Sequence, residues 1–262
     1  MRTIDSVNFS NKKVLIRVDF NVPLDENNRV TDHTRIKAAK PTIDKVLGDG
    51  GSCVLMTHLG RPKGVDESLS LRHIVSEIQK VLGVDIQFLK HTIGPEAEAQ
   101  TQALQPGQVM LLENLRFYDE ETKGDEQFAN ALSKLADCYI NDAFGTAHRA
   151  HASTTIVAQF FPKAKHFGYL LAQEIDAIDR VMSTGEKPVL AVLGGAKVSS
   201  KITIIENILD KVDHLIIGGG MSFTFTKAMG GQIGNSICED DKQELALSIL
   251  RSAKEKGVQI HL

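Results

Sequence analysis

The chain has 262 residues, a formal net charge of −3, 42% hydrophobic and 24% charged residues, a balance that leaves any attraction for nucleic acid, anionic membrane or acidic ligands to local clusters. Its length suits one large domain or two ordinary ones, and three widely separated cysteines, Cys53, Cys138 and Cys238, argue against a disulfide framework or a zinc knuckle. The N-terminal "MRTIDSVNFSNKK" carries no apolar signal core and no apolar run is long enough to span a bilayer, so a cytoplasmic location is expected.

Short apolar, β-rich runs alternate with amphipathic stretches along the chain. The first run is "VLIRVDF" (14–20). A helix is expected after it in "TDHTRIKAA", with Asp32 or Thr34 as cap; Pro41 should kink that helix or delay its start. Strands "CVLMTH" (53–58) and "VMLLEN" (109–114) follow. Phe128, Leu132 and Leu135 form a helical stripe after Asp125, and "CYINDAF" (138–144) is the next strand. Leu171, Ile175, Ile178 and Met182 recur at helical spacing before the turn-rich "STGEKP", which marks a domain boundary. Beyond it come strand "PVLAVLG" (188–194), a stripe of Ile202, Ile205, Ile208, Leu209 and Val212, and strand "HLIIGGG" (214–220). A less regular stripe of Leu245, Leu247, Ile249 and Leu250 follows the acidic Glu239-Asp240-Asp241, and "VQIHL" (258–262) reads as a buried strand.

This pattern predicts an α/β chain of parallel sheets built from βαβ units. The expected organisation is a first domain over 1–170, a connecting helix and linker over 171–185, and a second domain over 186–262. Three strands with a buried-type strand at the end make the second domain look incomplete, and the chain is expected to be a piece of a longer protein.

In open α/β sheets, ligands bind beyond the carboxyl ends of the strands. The strand ends here carry Asp19-Phe20-Asn21, then His58-Leu59-Gly60-Arg61, then Asn114 and Arg116, then Asn141-Asp142 followed by a loop with Arg149. Any one of these reads as a surface loop; four such ends side by side favour a site for a small polar molecule. Arg35 adds a cation to the first turn of a helix, where it opposes the macrodipole unless an anion sits beside it. His148 and His151 have H-x-x-H spacing, yet no third ligand and no HExxH motif accompany them, so the loop is read as anion-binding rather than metal-binding. In the second domain "VLGGAKVSSKITIIENI" runs from strand through glycine turn to helix. Lys197 and Lys201 are expected on one helical face, and Ser199 or Ser200 is expected to cap. "IIGGGMSFTF" repeats the arrangement, without a G-x-x-x-x-G-K-[ST] loop or a G-x-G-x-x-G fingerprint.

"RVDFNVPL", "TDHTRI", "HLGRPKG", "LLENLRF", "NDAFGTAHRAHAST", "LGGAKVSSKI" and "IGGGMSFTFTKA" occur in that order, and by them the chain resembles the phosphoglycerate kinase family, in its bacterial form, from the first strand to Leu262. The resemblance implies two Rossmann-like domains joined by a helix. The first would hold 3-phosphoglycerate or 1,3-bisphosphoglycerate, and the second ADP or ATP with Mg2+. By the same resemblance Asp19 and Asn21 hold the glycerate hydroxyl and carboxyl end, with Phe20, Leu59 and Gly60 in the same substrate-binding stretches. His58, Arg61, Arg116 and Arg149 hold the 3-phosphate. Arg35 and Lys197 are the catalytic pair, Lys201 binds nucleotide phosphates, and Gly194, Gly195, Gly218, Gly219 and Gly220 line the nucleotide cleft. It further implies a glycolytic, hinge-bending, cytoplasmic monomer with no metal ligand in these residues, because the magnesium aspartate and the glutamate near the ribose lie in a part of the family pattern beyond Leu262. These 262 residues are therefore expected to bind phosphoglycerate weakly at best and to turn over negligibly. Two alternatives stand beside this: a non-catalytic anion-binding module, and an NAD-dependent enzyme using "IIGGGM", against which the missing G-x-G-x-x-G counts.

Overall fold

The computed structural model describes residues 3–262; Met1 and Arg2, which open the first expected domain, lie outside them. The chain divides into two compact units, Met1–Ile175 and Asp176–Leu262.

The first unit is built on six parallel strands, β1 (Lys13–Val18), β2 (Ser52–Met56), β3 (Ile86–Leu89), β4 (Val109–Leu112), β5 (Cys138–Asp142) and β6 (Lys165–Phe167), in the order β3-β4-β2-β1-β5-β6. β1 is central and buried along all but its first residue, which is why it reads as a continuous apolar run. Alternate residues serve opposite faces. Ile16, Leu55, Leu111 and Ile140 pack against Ile36, Ile43 and Val46 of helix α1 (Thr34–Gly48) and Ile78 and Leu82 of α2 (Val75–Leu82). Leu15, Val54, Met56, Leu112 and Tyr139 face Ala97 of α3 (Pro95–Ala103) and Phe128, Ala129 and Leu132 of α5 (Glu126–Ser133). A short helix α4 (Asp119–Lys123) precedes α5, and another, α6 (Phe144–Ala147), follows β5. Asp125 caps α5, accepting from the Phe128 amide at 2.8 Å.

Two sequence expectations change here. α1 runs unbroken through Pro41 and starts at Thr34 rather than after the proline. Burial of Ile36, Ala39, Thr42, Ile43 and Val46 on one face holds the helix across the missing amide. β3 and β6 were not expected; both are short edge strands, four and three residues long, whose polar Gln87, Lys165 and His166 hide any apolar signature. The helix α7 (Tyr169–Asp179) leaves the first unit, which ends within it at Ile175.

The second unit carries parallel strands β7 (Leu190–Gly194), β8 (His214–Gly218) and β9 (Gln259–His261) in that order, with helices α8 (Ile202–Ile208), α9 (Gly220–Ala228) and α10 (Gln243–Glu255). Leu215 and Ile217 pack with Ile205, Leu209, Phe225, Ala246 and Ile249 in its core. The opposite face of the sheet is open: Leu190, Val192 and Ile216 are 55%, 67% and 36% exposed. The last strand is therefore not the buried one expected from "VQIHL"; Gln259 and His261 are exposed and Ile260 is half-buried. In α10 the buried stripe is Ala246, Ile249 and Ala253; of the expected residues Ile249 is buried, and Leu245 and Leu250 flank it, half-buried against the core.

Candidate functional site

The carboxyl ends of β4, β2, β1 and β5 are adjacent in the sheet, so the loops that follow them crowd together. Arg61, Arg116, Arg149 and His151 line one cavity of about 310 Å³, together with Tyr118, Thr122 and the carboxylate of Asp119. Arg116 is half-buried, and its acidity is increased by burial first and then by the neighbouring charges of Arg17, Arg149 and Arg61. Three cations that repel one another and converge on one hollow make a site for a multiply charged anion. A larger hollow of about 810 Å³ beside β6 is lined by apolar groups such as Ala147, Ala158, Phe167, Leu171 and Ile175, and lacks this concentration of charge.

The loops are held by buried polar clamps. Asn114 is fully buried; its Oδ1 accepts from the Leu59 amide at 3.2 Å and from the Arg116 amide at 3.1 Å, while its Nδ2 donates to Leu59 O at 2.8 Å and Leu69 O at 2.9 Å. Asn21 Oδ1 accepts from the Gly60 amide at 2.8 Å, and the Arg116 guanidinium donates to Gly60 O at 2.8 Å. Buried Phe20 is anchored through its amide to Thr57 Oγ1 at 2.9 Å. Arg35, in the first turn of α1, pairs with Asp19, whose carboxylate offsets the unfavourable place of a cation at a helix N-terminus. A Cβ at Gly145 would lie 3.3 Å from Asp19 Oδ2, so the small residue lets the loop after β5 approach β1.

His58 is 4% exposed and its Nδ1 lies 3.1 Å from an Arg17 guanidinium nitrogen. Burial first, then the charges of Arg17, Arg116 and Arg35, push its pKa down to about 2, so the ring is neutral at ordinary pH. His151 is pushed down as well, by burial against the opposing pull of Glu121, and its Nδ1 is buried with no hydrogen-bond partner.

In the second unit, Gly219 takes a positive φ of 73°, and a Cβ there would meet Gly195 O at 2.9 Å. The Met221 amide donates to Gly195 O at 2.8 Å. The glycines thus let the β8–α9 turn lie directly on the loop after β7. A Cβ at Gly220 would meet Ile237 and Ala196, one at Gly195 would face the Lys201 side chain at 3.7 Å, and Gly194 has open space around it. Gly218 would be in ordinary contact with Leu193 O. Lys197 and Lys201 do not share a helical face: α8 starts at Ile202, so both lysines lie in the turn that precedes it. Neither serine caps α8. Ser199 donates to Glu239, by its hydroxyl at 2.5 Å and its amide at 3.1 Å, and Ser200 Oγ donates to Lys197 O at 2.9 Å. The lysines flank a serine fastened to Glu239, a tertiary partner invisible in the local sequence.

A family model described as "Phosphoglycerate kinase" matches residues 4–262. The chain belongs to the phosphoglycerate kinase family. It is 50% identical to the phosphoglycerate kinase of Porphyromonas gingivalis, over 99% of this chain and 68% of that one. It is 51% identical to that of Moorella thermoacetica, over 99% and 66%. A solved phosphoglycerate kinase from Coxiella burnetii superposes with a TM-score of 0.84 at 37% identity, covering all of this chain and 65% of its own. The chain thus spans about two thirds of the length of the relatives it matches.

Not every polar group at a strand end faces the hollow. Asn141 Oδ1 accepts from the Ala143 amide at 3.1 Å, and fully buried Asp142 accepts from the Leu171 amide at 3.2 Å, anchoring α7. These two are internal fastenings, as is Asn114. Conversely, three groups of the cluster escaped sequence reasoning: Arg17, Glu121 and Ser153. A charge inside "VLIRV" was a signal for a buried, partnered arginine; Glu121, in the acidic run "YDEETK", gave none.

Proposed function

We propose that the chain is the phosphoglycerate-binding part of a phosphoglycerate kinase, whose reaction is the reversible transfer of a phosphoryl group between 1,3-bisphosphoglycerate and ADP, giving 3-phosphoglycerate and ATP, and that these 262 residues alone turn over negligibly. In this reading residues 1–170 form the phosphoglycerate-binding domain, 171–185 the connector and 186–262 part of the nucleotide-binding domain. The observation that carries it is the convergence of Arg61, Arg116 and Arg149 on one hollow at the carboxyl ends of neighbouring strands.

The 3-phosphate sits among these arginines, whose planar, permanently charged forks match its oxygens. Neutral His58 contributes a hydrogen-bond donor rather than a fourth charge. Asp19 and Asn21 orient the glycerate, and Arg35, freed from Asp19, meets the carboxyl end. The acyl phosphate P–O bond breaks as the ADP β-phosphate oxygen bonds to phosphorus. Lys197 balances charge on the transferring group and Lys201 holds nucleotide phosphates. Little proton transfer is needed, so positioning and cations supply the catalysis. Among the described residues no group of three or more His, Cys, Asp or Glu side chains converges on one position; Mg2+ takes most of its ligands from phosphates and water. The ion enters this reading with the nucleotide.

A relative from Nicotiana tabacum is named cytosolic and one from Arabidopsis thaliana chloroplastic, and among the described residues no helix is long and apolar enough to cross a membrane. We place this chain in the cytoplasm, as a monomer. Titration calorimetry with 3-phosphoglycerate tests the first step. Saturable binding that Arg149→Ala weakens is expected; a parent chain that binds none, or an Arg149→Ala chain that binds equally well, refutes the phosphate assignment.

A further inference from the structure

Arg17 and Glu121 are both 1% exposed, yet they form no direct ion pair. One hydroxyl links them. Ser153 Oγ accepts from Arg17 Nε at 2.8 Å and donates to Glu121 Oε1 at 2.7 Å, while the Ser153 amide donates to Glu121 Oε2 at 2.9 Å. The carboxylate accepts the hydroxyl's hydrogen bond, so a serine lone pair is left facing Arg17. Turning any member would leave a buried charge without its partner. Arg17 uses its remaining nitrogens on Val18 O and on His58 Nδ1. A guanidinium only donates, so Nδ1 accepts, and the proton of the neutral ring lies on Nε2.

We propose that Glu121 and Ser153 are positioning residues that, through Arg17, hold His58 as the Nε2–H tautomer and so supply the anion site with a neutral donor. The ligand in this statement rests on the phosphoglycerate reading above. The chemistry favours the arrangement: His58 does not itself line the hollow of Arg61, Arg116 and Arg149, but it feels the charges of Arg17, Arg116 and Arg35, so a protonated ring there would be repelled, whereas a neutral N–H adds a hydrogen bond without repulsion. A histidine tautomer is set by the hydrogen bond its other ring nitrogen makes, here Nδ1 with Arg17, and Ser153 and Glu121 hold that arginine in place.

The test is the long-range proton–nitrogen spectrum of the His58 imidazole in the whole chain between about pH 5 and pH 8, with calorimetry using 3-phosphoglycerate. The parent is expected to show Nε2–H and no protonation. Ser153→Ala and Glu121→Gln should mix the tautomers and weaken binding roughly ten-fold, the scale of one lost hydrogen bond to the ligand. Tyr139→Phe is the control. Its hydroxyl donates to Ser153 O at 2.8 Å, so it loosens the same loop without touching the Arg17 link, and should leave the His58 signals unchanged. A parent found as Nδ1–H or protonated in this range overturns the proposal with no variant needed. So does a Tyr139→Phe chain that shifts His58 as much as Ser153→Ala. A parent that binds no 3-phosphoglycerate overturns the ligand assignment, while the His58 signals decide the positioning role separately.

Discussion

Asp142 occupies the space that a side chain at Gly168 would need: a Cβ there would lie 2.3 Å from both Asp142 Cγ and Oδ1. The contact joins the end of β5 to the start of α7, and the Gly168 amide closes it further by donating to Asn141 O at 2.9 Å. Gly168→Ala cannot be accommodated without moving a buried carboxylate or the helix start. It should cost about 3 kcal/mol, seen as a lower denaturant midpoint with an unchanged slope.

Asp142 itself gives a pH signature. Burial raises its pKa to about 6, against hydrogen bonds from Thr42, Leu171 and Leu170 that lower it, and its Oδ2 has no partner. Between the unfolded value of 3.8 and about 6 the folded chain holds the extra proton. The contribution to stability is therefore full below 3.8 and lost as pH rises through about 6. The parent should lose about 3 kcal/mol relative to Asp142→Asn over this interval, at about 1.4 kcal/mol per unit of pKa difference. Thermal melts of both chains at matched pH check this; parallel curves would refute it.

His58 acts in the opposite direction. Its folded value of about 2 lies below the unfolded 6.5, so the unfolded chain takes up the proton first, and stability present above 6.5 falls as pH drops below it. His58→Gln should gain on the parent below about pH 6 by up to about 1.4 kcal/mol per pH unit, read from denaturant titrations at descending pH.

Arg116 is steered by Gly60 O and half-buried, whereas Arg149 is exposed and, among the described residues, its side chain hydrogen-bonds only to His148, at 3.3 Å. Removing either should weaken 3-phosphoglycerate binding. Arg116→Ala should lose about 1.5–3 kcal/mol and Arg149→Ala less, with a shallower salt dependence for both. Calorimetry at two ionic strengths would measure the order and the slope.

Gly124 ends α4 with a φ of 68°, and a Cβ there would meet Ala150 O at 2.3 Å. It lies against the loop that carries Arg149 and His151. Gly124→Ala should both destabilise the chain, by about 2 kcal/mol, and weaken 3-phosphoglycerate binding by displacing that loop. A variant that melts early but binds normally would separate the loop's stability from its position.

Much of this protein was legible in its residues. Buried strands such as "VMLLEN" and "CYINDAF" declare themselves because both faces of a central strand are covered and need no polar alternation. The family motifs supplied the arginines. Edge strands "IQFL" and "KHF" were silent, since one side of each meets solvent and their residues look like loop. Pro41 misled because helix rules count a missing amide but not the buried face that outweighs it. Lys197 and Lys201 misled because spacing fits a helix that starts only at Ile202.

Sequence by itself determined the class of fold, the order of the buried central strands along the chain and the stock of cations from which an anion site could be built. Tertiary structure alone decided which polar groups remain available to a ligand. Asn114, Asn141 and Asp142 turn inward to hold loops and a helix, while Arg17, Ser153 and Glu121 meet from positions 136 and 32 residues apart along the chain. The reason is that burial and partnership are properties of neighbours in space. A buried charge is stable only beside a partner that local sequence does not name.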